Sequence, residues 1–308
     1  MQSDADKKMH AATLSVVSNT FLVAGKVSVG LFTGSVSILS EGIHSGIDLV
    51  AALIAYFSVR ESGKPADERH RYGHGKIENI SGTVEALLII MAALWIIFEA
   101  ADKLRRGSEV GQLGLGVGVM ALSAVVNMIV SAKLMRTAKA TDSVALEADA
   151  LHLRTDVFTS VGVLLGLAAI KLTGITWLDP VAAIGVALLI IKAGVDLTRQ
   201  AFFPLVDVSL PAEEEQAIID IIESFSANYL EFHKLRTRKA GPERHIDLHL
   251  VVPQELPVRQ VHSLCDLIEA EIKCKFPGSH VLIHSEPCEP GQCKNCSPAH
   301  EQCPNKGR

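Results

Sequence analysis

The 308-residue sequence has no cysteine before Cys265, and all six of its cysteines lie in the C-terminal third. This distribution argues against a disulfide framework and favours a reducing, cytoplasmic setting for the C-terminal part. The sequence also lacks a basic patch, and its formal net charge of -5 argues against a nucleic-acid partner. It contains no Walker-type phosphate-binding motif, so nothing indicates a requirement for ATP.

The N-terminus shows no cleavable signal sequence, because residues 1–10 are polar and lead directly into a long apolar segment. We therefore expect a short cytoplasmic tail over residues 1–10. Apolar residues are abundant: 48% of the chain is hydrophobic and the mean hydropathy is +0.29, which indicates a membrane protein. Six segments approach the ~20 residues that cross a bilayer. They run over Ala12–Thr33, Ser35–Val59, Ile80–Ala101, Leu113–Met135, Ser143–Leu172 and Asp179–Leu197.

Six spans would place both ends of the chain on the same side of the membrane. The predicted loops on that side carry most of the basic residues, whereas the opposite side carries Lys103, Arg105, Arg106 and Lys171. The positive-inside rule therefore predicts that both termini are cytoplasmic. Lys26 lies within the first segment, so it must reach the interface, pair with another group or face a cavity.

Two apolar segments each contain a histidine and an aspartate four residues apart: His44 and Asp48 in the second, His152 and Asp156 in the fifth. Residues four apart share one face of a helix. A single pair could serve as a helix-capping or interhelical hydrogen bond. Two matching pairs supply two imidazoles and two carboxylates, a set suited to tetrahedral Zn²⁺. The sequence therefore predicts a metal site between these two helices.

After Pro204 the sequence changes to that of a small α/β domain. Apolar spacing predicts, in order, a helix, two strands, a helix and a final strand. They begin near Pro211, Leu230, His245, Pro257 and His280. This order predicts a sheet with its helices on one face.

Residues 288–308 are rich in Pro, Lys, Asn and Cys and have no apolar period, which predicts a mobile tail. Cys293 and Cys296 form a C-x-x-C pair, with Cys288, His300 and Cys303 nearby. A zinc ribbon needs two such pairs. A structural or scavenging metal site and a free flexible tail are therefore both open for this segment.

Five stretches together resemble the cation diffusion facilitator family of metal/proton antiporters, and the resemblance runs from the first span to about Pro287. They are Ser40–Asp48, Ala66–Lys76, Glu147–Asp156, His233–Arg238 and Phe276–His284. The resemblance implies a membrane α-helical protein with six transmembrane helices over residues 11–203. It also implies a cytoplasmic ferredoxin-like or metallochaperone-like α/β domain over residues 204–287, which binds metal and dimerises. The resemblance further implies a homodimer in the bacterial inner membrane.

The resemblance also implies three metal sites. His44, Asp48, His152 and Asp156 fall on the family's transport site in the membrane. A bacterial family member has Asp where this chain has His44, whereas the His-Asp/His-Asp set is similar to that of eukaryotic zinc transporters. Replacing a carboxylate with an imidazole favours Zn²⁺ over Mn²⁺.

The other two implied sites lie outside the membrane segments. The loop site, between the second and third spans, consists of Asp67, His70 and His74. The two-metal site of the soluble domain consists of His233, His249, His262, His284 and Glu286. Glu286 stands where a bacterial relative has Asp. The resemblance implies no role for His245, which we expect at the surface.

These features predict a transporter, not an enzyme, that exchanges cytoplasmic Zn²⁺ for protons, because both cations compete for the same Asp and His groups. A broader exporter of Fe²⁺, Co²⁺, Ni²⁺ or Cd²⁺ is the alternative within transport. A membrane metalloenzyme would need an open metal position and a nearby base, for which Glu41 is the candidate, and four protein ligands argue against it. A metal sensor would not explain ligands buried in two spans.

Overall fold

The computed structural model describes residues 3–33, 36–106, 115–173 and 177–288. The described residues fall into two compact units that divide between Leu205 and Val206. Six long helices form the first, or membrane, unit. They are α1 (Asp4–Thr33), α2 (Val36–Ser62), α3 (Lys76–Arg106), α4 (Leu115–Thr141), α5 (Val144–Thr173) and α6 (Leu178–Phe202). Within the described residues, α1, α2, α3, α4 and α6 are long and apolar enough to cross a membrane.

Helices α1, α3 and α6 contain the whole of a predicted apolar segment, and α2, α4 and α5 begin one or two residues inside theirs. The largest difference is at α1, which begins at Asp4, so most of the expected N-terminal tail is helical. The Asp6 amide donates to Ser3 Oγ at 3.2 Å, and the Ser3 amide donates to Asp6 Oδ2 at 3.3 Å. This reciprocal capping box satisfies amides that a helix start would otherwise leave free. The local signal was therefore present in the sequence, but hydropathy does not report it.

A buried carboxylate joins several helices at one end of this unit. Glu78 on α3 is 0% exposed. It accepts hydrogen bonds from Lys8 Nζ at 2.8 Å, Ser62 Oγ at 2.9 Å and Ser143 Oγ at 2.5 Å. A buried charge is tolerated when it is paired and fully hydrogen-bonded. Glu78 thereby connects α1, the end of α2 and the start of α5.

Helices α3 and α6 approach each other closely because small residues line their contact. A Cβ atom added to Gly194 would lie 2.7 Å from Ile90 Cγ1. Ala86 and Ala187 are completely buried in the same cluster. Small residues at such contacts let helix backbones come together without a hydrophobic driving force from water.

We expect Gly194→Ala to destabilise the membrane unit. The added methyl group overpacks the contact with Ile90, which typically costs ~1–3 kcal/mol and outweighs the ~1 kcal/mol that alanine gains over glycine in a helix. Gly185→Ala, on the same helix with no atom within 4 Å of the new Cβ, is the matched control. Thermal unfolding of the full chain in detergent should give a lower Tm for Gly194→Ala than for Gly185→Ala. Equal values would contradict the close contact.

The second, or soluble, unit contains two helices and a three-stranded sheet, in the predicted element order. The elements are α7 (Ala212–Ser224), β1 (Glu231–Ala240), β2 (Glu243–Val252), α8 (Val258–Lys275) and β3 (Ser279–Pro287). The strand order is β1-β2-β3, with β1 antiparallel and β3 parallel to the central β2. A parallel neighbour requires a crossover connection, and α8 supplies it.

Both helices cover the same face of the sheet, as predicted. Ile218 of α7 and Ile268 of α8 are fully buried in one core with Ile246, Leu248 and Leu250 of β2. Side chains alternate between the faces of a strand. The residues between these three, including Asp247 and His249, therefore belong to the opposite face, which this core does not use.

Candidate metal centres

The structure brings the predicted pairs on α2 and α5 together. Ligand atoms of His44, Asp48 and Asp156 all lie within 4.8 Å of one another. His152 Nε2 lies 3.3 Å from Asp48 Oδ1, and His44 Nε2 lies 3.9 Å from Asp156 Oδ1. Each histidine therefore faces the aspartate of the other helix. The group of ligand atoms within 4.8 Å of one another does not include His152, which adjoins it through Asp48. Together the four side chains form a cluster that bridges α2 and α5.

This membrane cluster is enclosed on one side and open on the other. The side chains of Asp48 and His152 are 5% and 10% exposed, whereas that of His44 is 57% exposed. His152 Nδ1 and Asp156 Oδ2 are buried without a hydrogen-bond partner among the described residues. Buried polar atoms normally have partners. The unsatisfied Asp156 oxygen fits a cation bound among the side chains of this cluster.

Lys26, which lies within the first apolar segment, is paired inside the helical bundle. It is only 6% exposed, and its Nζ donates to Ser45 Oγ at 2.8 Å. Ser45 is the chain neighbour of His44, so Lys26 pairs inside the bundle beside the membrane cluster. A positive charge there reduces the repulsion between the two aspartates.

The loop between α2 and α3 gathers the three predicted residues of the second site. His70 Nδ1 lies 3.2 Å from Asp67 Oδ1, and His74 Nε2 lies 3.3 Å from Asp67 Oδ2. Gly73 adopts a φ of +79°, which lets the chain turn back between the two histidines. A hydrogen bond from the His70 backbone amide lowers the pKa of Asp67. The carboxylate is therefore ionised at neutral pH, as a metal ligand must be.

In the soluble unit, strand register aligns three of the predicted histidines. His233 of β1 pairs with His249 of β2, which pairs with His284 of β3. Glu286 lies among them: its carboxylate is 3.3 Å from His233 Nε2, 2.6 Å from His249 Nδ1 and 3.8 Å from His284 Nε2. The hydrogen bond with His249 lowers the pKa of Glu286. We call these four residues the sheet cluster. Ligand atoms of His233, His249 and Glu286 lie within 4.8 Å of one another, and His284 adjoins them through Glu286. Two imidazoles and a carboxylate fit Zn²⁺.

Three described histidines of this unit, His245, His262 and His280, lie outside the sheet cluster. His262 is on α8, where its Nε2 is 3.6 Å from Asp266 Oδ2 and its side chain is 73% exposed. The structure does not place it in the sheet cluster, so its predicted role there stays a prediction. His245, expected at the surface, is instead buried at 8% exposure. Its ring stacks on that of His280 of the neighbouring strand, with centroids 5.0 Å apart.

The cysteine-rich tail lies mostly outside the described residues. Cys293, Cys296, His300 and Cys303 belong to the part that the structure does not describe. Cys288 is described: it is 1% exposed and packs on Leu230 and Val251. Its backbone amide donates to the Val252 carbonyl at 2.9 Å, so at least this cysteine is part of the folded unit.

A bundle of long apolar helices encloses a histidine and aspartate cluster, and the second unit carries a further cluster of histidines and a glutamate. These features are those of a membrane protein that handles cations. Comparison with known families agrees. The profile described as "Cation efflux transmembrane domain" matches residues 12–206, and "Cation efflux protein, cytoplasmic domain" matches residues 210–288. The chain belongs to the cation efflux, or cation diffusion facilitator, family, as the sequence motifs predicted.

Individual relatives match along most of their length. "Uncharacterized transporter sll1263" of Synechocystis sp. is 36% identical over 278 residues, 90% of each chain. "Cation-efflux pump FieF" of Salmonella newport is 32% identical over 283 residues, 90% of this chain and 92% of the relative. Among solved structures, CzrB in its Zn form is 40% identical and matches 29% of this chain and 98% of its own, with a TM-score of 0.26.

Proposed function

We propose that the chain is a secondary transporter that exports divalent metal cations, chiefly Zn²⁺, from the cytoplasm in exchange for protons. The observation that carries this proposal is the crosswise cluster of His44, Asp48, His152 and Asp156 in the membrane unit. A relative from Salmonella that matches 90% of this chain is named a cation-efflux pump. Two imidazoles and two carboxylates suit Zn²⁺ better than the harder divalent cations.

The chemistry of the cluster supplies the exchange. Metal ligation requires deprotonated aspartate and neutral imidazole, so Zn²⁺ and protons compete for the same atoms. Metal binding lowers the affinity of the cluster for protons, and proton binding lowers its affinity for metal by the same factor. Two conformations that open the cluster to opposite sides then couple the two fluxes. Four protein ligands leave no open position for a catalytic water, which supports a transporter over a hydrolase.

The proposal includes the membrane topology and the division of the chain into domains. We assign α5 as a sixth span beside the five long apolar helices, with both termini in the cytoplasm and the protein in the bacterial inner membrane. Residues 11–203 form the transmembrane domain, and residues 204–287, with Cys288 packed against them, bind resident Zn²⁺ and join two copies into a homodimer. The residues after Cys288 are a tail. Asp67, His70 and His74 form a loop site for metal.

Metal flux into proteoliposomes tests this function. The purified full chain should drive Zn²⁺ uptake under a pH gradient, without ATP. Lowering the pH on the metal-loading side from about 7.5 to about 6 should weaken the apparent zinc affinity at least ~10-fold, as one competing proton requires. Calorimetry in buffers of different ionisation enthalpy, on a variant whose loop site and sheet cluster are mutated, counts the protons that each zinc releases at the membrane cluster.

The outcomes separate the alternatives. A count near zero would make the protein a uniporter or move proton coupling to other residues. Equal transport of Zn²⁺, Fe²⁺, Co²⁺, Ni²⁺ and Cd²⁺ would favour the broader exporter over a zinc-selective one. Metal binding without flux would favour a sensor or a metalloenzyme and would exclude the antiporter.

A further inference from the structure

A carboxylate outside the sheet cluster contacts one of the histidines within it. Glu231 is the first residue of β1, and its Oε1 lies 3.2 Å from Nδ1 of His233. The other ring nitrogen of His233, Nε2, lies 3.3 Å from Oε2 of Glu286 in the sheet cluster. The imidazole of His233 is therefore held between two carboxylates, of which only Glu286 belongs to the cluster.

Strand β1 places Glu231 and His233 together on the face of the sheet opposite the core, where the sheet cluster lies. Phe232, between them, packs on the apolar core, and side chains alternate between the faces of a strand. Leu235 also packs on this core, so regular alternation back from Leu235 would turn His233 toward the core. A β-bulge that follows His233, with Lys234 at a φ of +51°, changes the alternation and turns His233 the other way.

The start of β1 is anchored to the rest of the sheet, so the fold fixes the position of Glu231. The Leu230 amide donates to the Val251 carbonyl at 2.8 Å. Leu230 and Val251 are both buried in one apolar cluster with Cys288. Glu231 itself pairs with Val251 in the strand register, and its side chain is largely shielded from solvent. The carboxylate therefore faces His233 from an ordered part of the strand.

This contact selects the ring nitrogen of His233 that can bind a metal. An ionised carboxylate only accepts hydrogen bonds, so a neutral imidazole that bonds to Glu231 carries its hydrogen on Nδ1. The lone pair is then on Nε2, the nitrogen that faces Glu286 and the rest of the sheet cluster. Histidines that ligate metals almost always donate their other ring N–H in this way, and the partner fixes the tautomer and the orientation of the ring.

We propose that Glu231 is a positioning residue for zinc binding in the soluble unit. It fixes His233 in the tautomer and orientation that present Nε2 to a metal in the sheet cluster. The inference rests on the proposed resident Zn²⁺ of this unit and adds a residue to it. Neither the metal-site motifs nor the group of converging ligand atoms includes Glu231. Its contact with the outer nitrogen of His233 is what assigns it to the site.

The test measures zinc affinity by calorimetry in the full chain in detergent. The parent protein carries Asp67→Ala and Asp156→Ala, which disable the loop site and the membrane cluster. In this parent, Glu231→Ala should weaken zinc binding ~10–100-fold, the usual cost of losing an outer partner of a metal-ligating histidine. Glu231→Gln keeps an oxygen that accepts a hydrogen bond from Nδ1 and should lose less affinity than Glu231→Ala.

A thermodynamic cycle separates positioning from the simple loss of a negative charge. In a His233→Ala background, Glu231→Ala should have little effect on zinc affinity, because Glu231 acts through His233. Glu243→Ala is the matched control, since Glu243 is the first residue of β2 and lies 3.7 Å from His280, outside the sheet cluster. It should bind zinc as the parent does. Unchanged affinity in Glu231→Ala, or equal weakening with and without His233, would overturn the role of Glu231.

The tautomer of His233 gives a second measurement, which needs no metal. Nitrogen NMR of protein labelled in histidine, at a pH where the ring is neutral, should place the ring hydrogen of His233 on Nδ1 in the parent. Glu231→Ala should lose this preference, and His233→Ala assigns the signal. The same tautomer with and without Glu231 would overturn the inference, even where a variant binds zinc too weakly to measure. A parent that binds no zinc at the sheet cluster would instead overturn the proposed resident Zn²⁺, and this inference with it.

Discussion

We expect Asp156→Ala to abolish pH-driven zinc transport while the helical bundle stays folded. Asp156 contributes one carboxylate to the membrane cluster, faces His44 on the other helix, and has an oxygen that no described residue satisfies. Removing a metal ligand should lower zinc affinity by more than the ~10–100-fold that loss of an outer-shell contact costs. Removing an unsatisfied buried carboxylate should not destabilise the fold.

Flux into proteoliposomes and thermal unfolding of the same preparations give the two measurements. His152→Ala should show the same loss of flux, because its Nε2 is 3.3 Å from Asp48 on the facing helix. Asp196→Ala removes an exposed aspartate of α6 and is the matched control. Wild-type flux in Asp156→Ala or in His152→Ala would remove the membrane cluster from the transport mechanism.

The second large effect concerns the soluble unit, which zinc should stabilise. Binding to the folded state at 100 times the dissociation constant contributes about 2.7 kcal/mol, and each kcal/mol raises the Tm of a domain of this size by roughly 4–8 °C. A fragment beginning at Val206 should therefore melt on the order of 10 °C higher in zinc than in chelator. His249→Ala should remove this difference, because His249 is the central histidine of the sheet cluster.

His280→Ala is the control for this experiment. It removes an exposed histidine from the next strand, outside the sheet cluster, and should keep the full zinc-dependent shift. The relevant quantity is the difference between zinc and chelator for each variant, since either substitution can change the stability of the metal-free domain. A wild-type fragment whose Tm is the same in zinc and in chelator would argue against a metal site on the sheet.

The local part of the membrane cluster was predictable from the sequence, and its geometry was not. A four-residue spacing in an apolar segment fixes which side chains share a helix face, so His44 with Asp48 and His152 with Asp156 could be paired on paper. In the structure each histidine instead faces the aspartate of the other helix. This crosswise pairing depends on how α2 and α5 pack, so it cannot be predicted from residue spacing within either segment.

In the soluble unit too, the strands were predictable from the sequence but their register was not. Apolar spacing predicted β2, but His245, for which the resemblance implies no role, was expected at the surface. That residue is buried because β3 pairs with β2 in a register that stacks His280 on it. Parallel register is set by the α8 crossover and by core packing across the sheet, not by neighbouring residues.

Glu85 is a carboxylate inside the predicted apolar segment Ile80–Ala101. A carboxylate inside an apolar segment is costly and marks a function by default. The sequence alone could not say whether Glu85 is compensated, as Glu78 is, or exposed at the edge of the bundle. Only the packing of the helices shows that Glu85 is fully buried.

The row of His233, His249 and His284 across three strands also has a consequence for the order of events during synthesis. β3 emerges last of the three strands, and it supplies both His284 and Glu286. The nascent chain therefore has no complete sheet cluster until the crossover helix has formed and β3 has docked beside β2. Zinc binding at this site therefore cannot stabilise a partly synthesised domain. If the sheet cluster binds zinc as proposed, it does so only after the whole soluble unit has folded, when the membrane helices have already been translated.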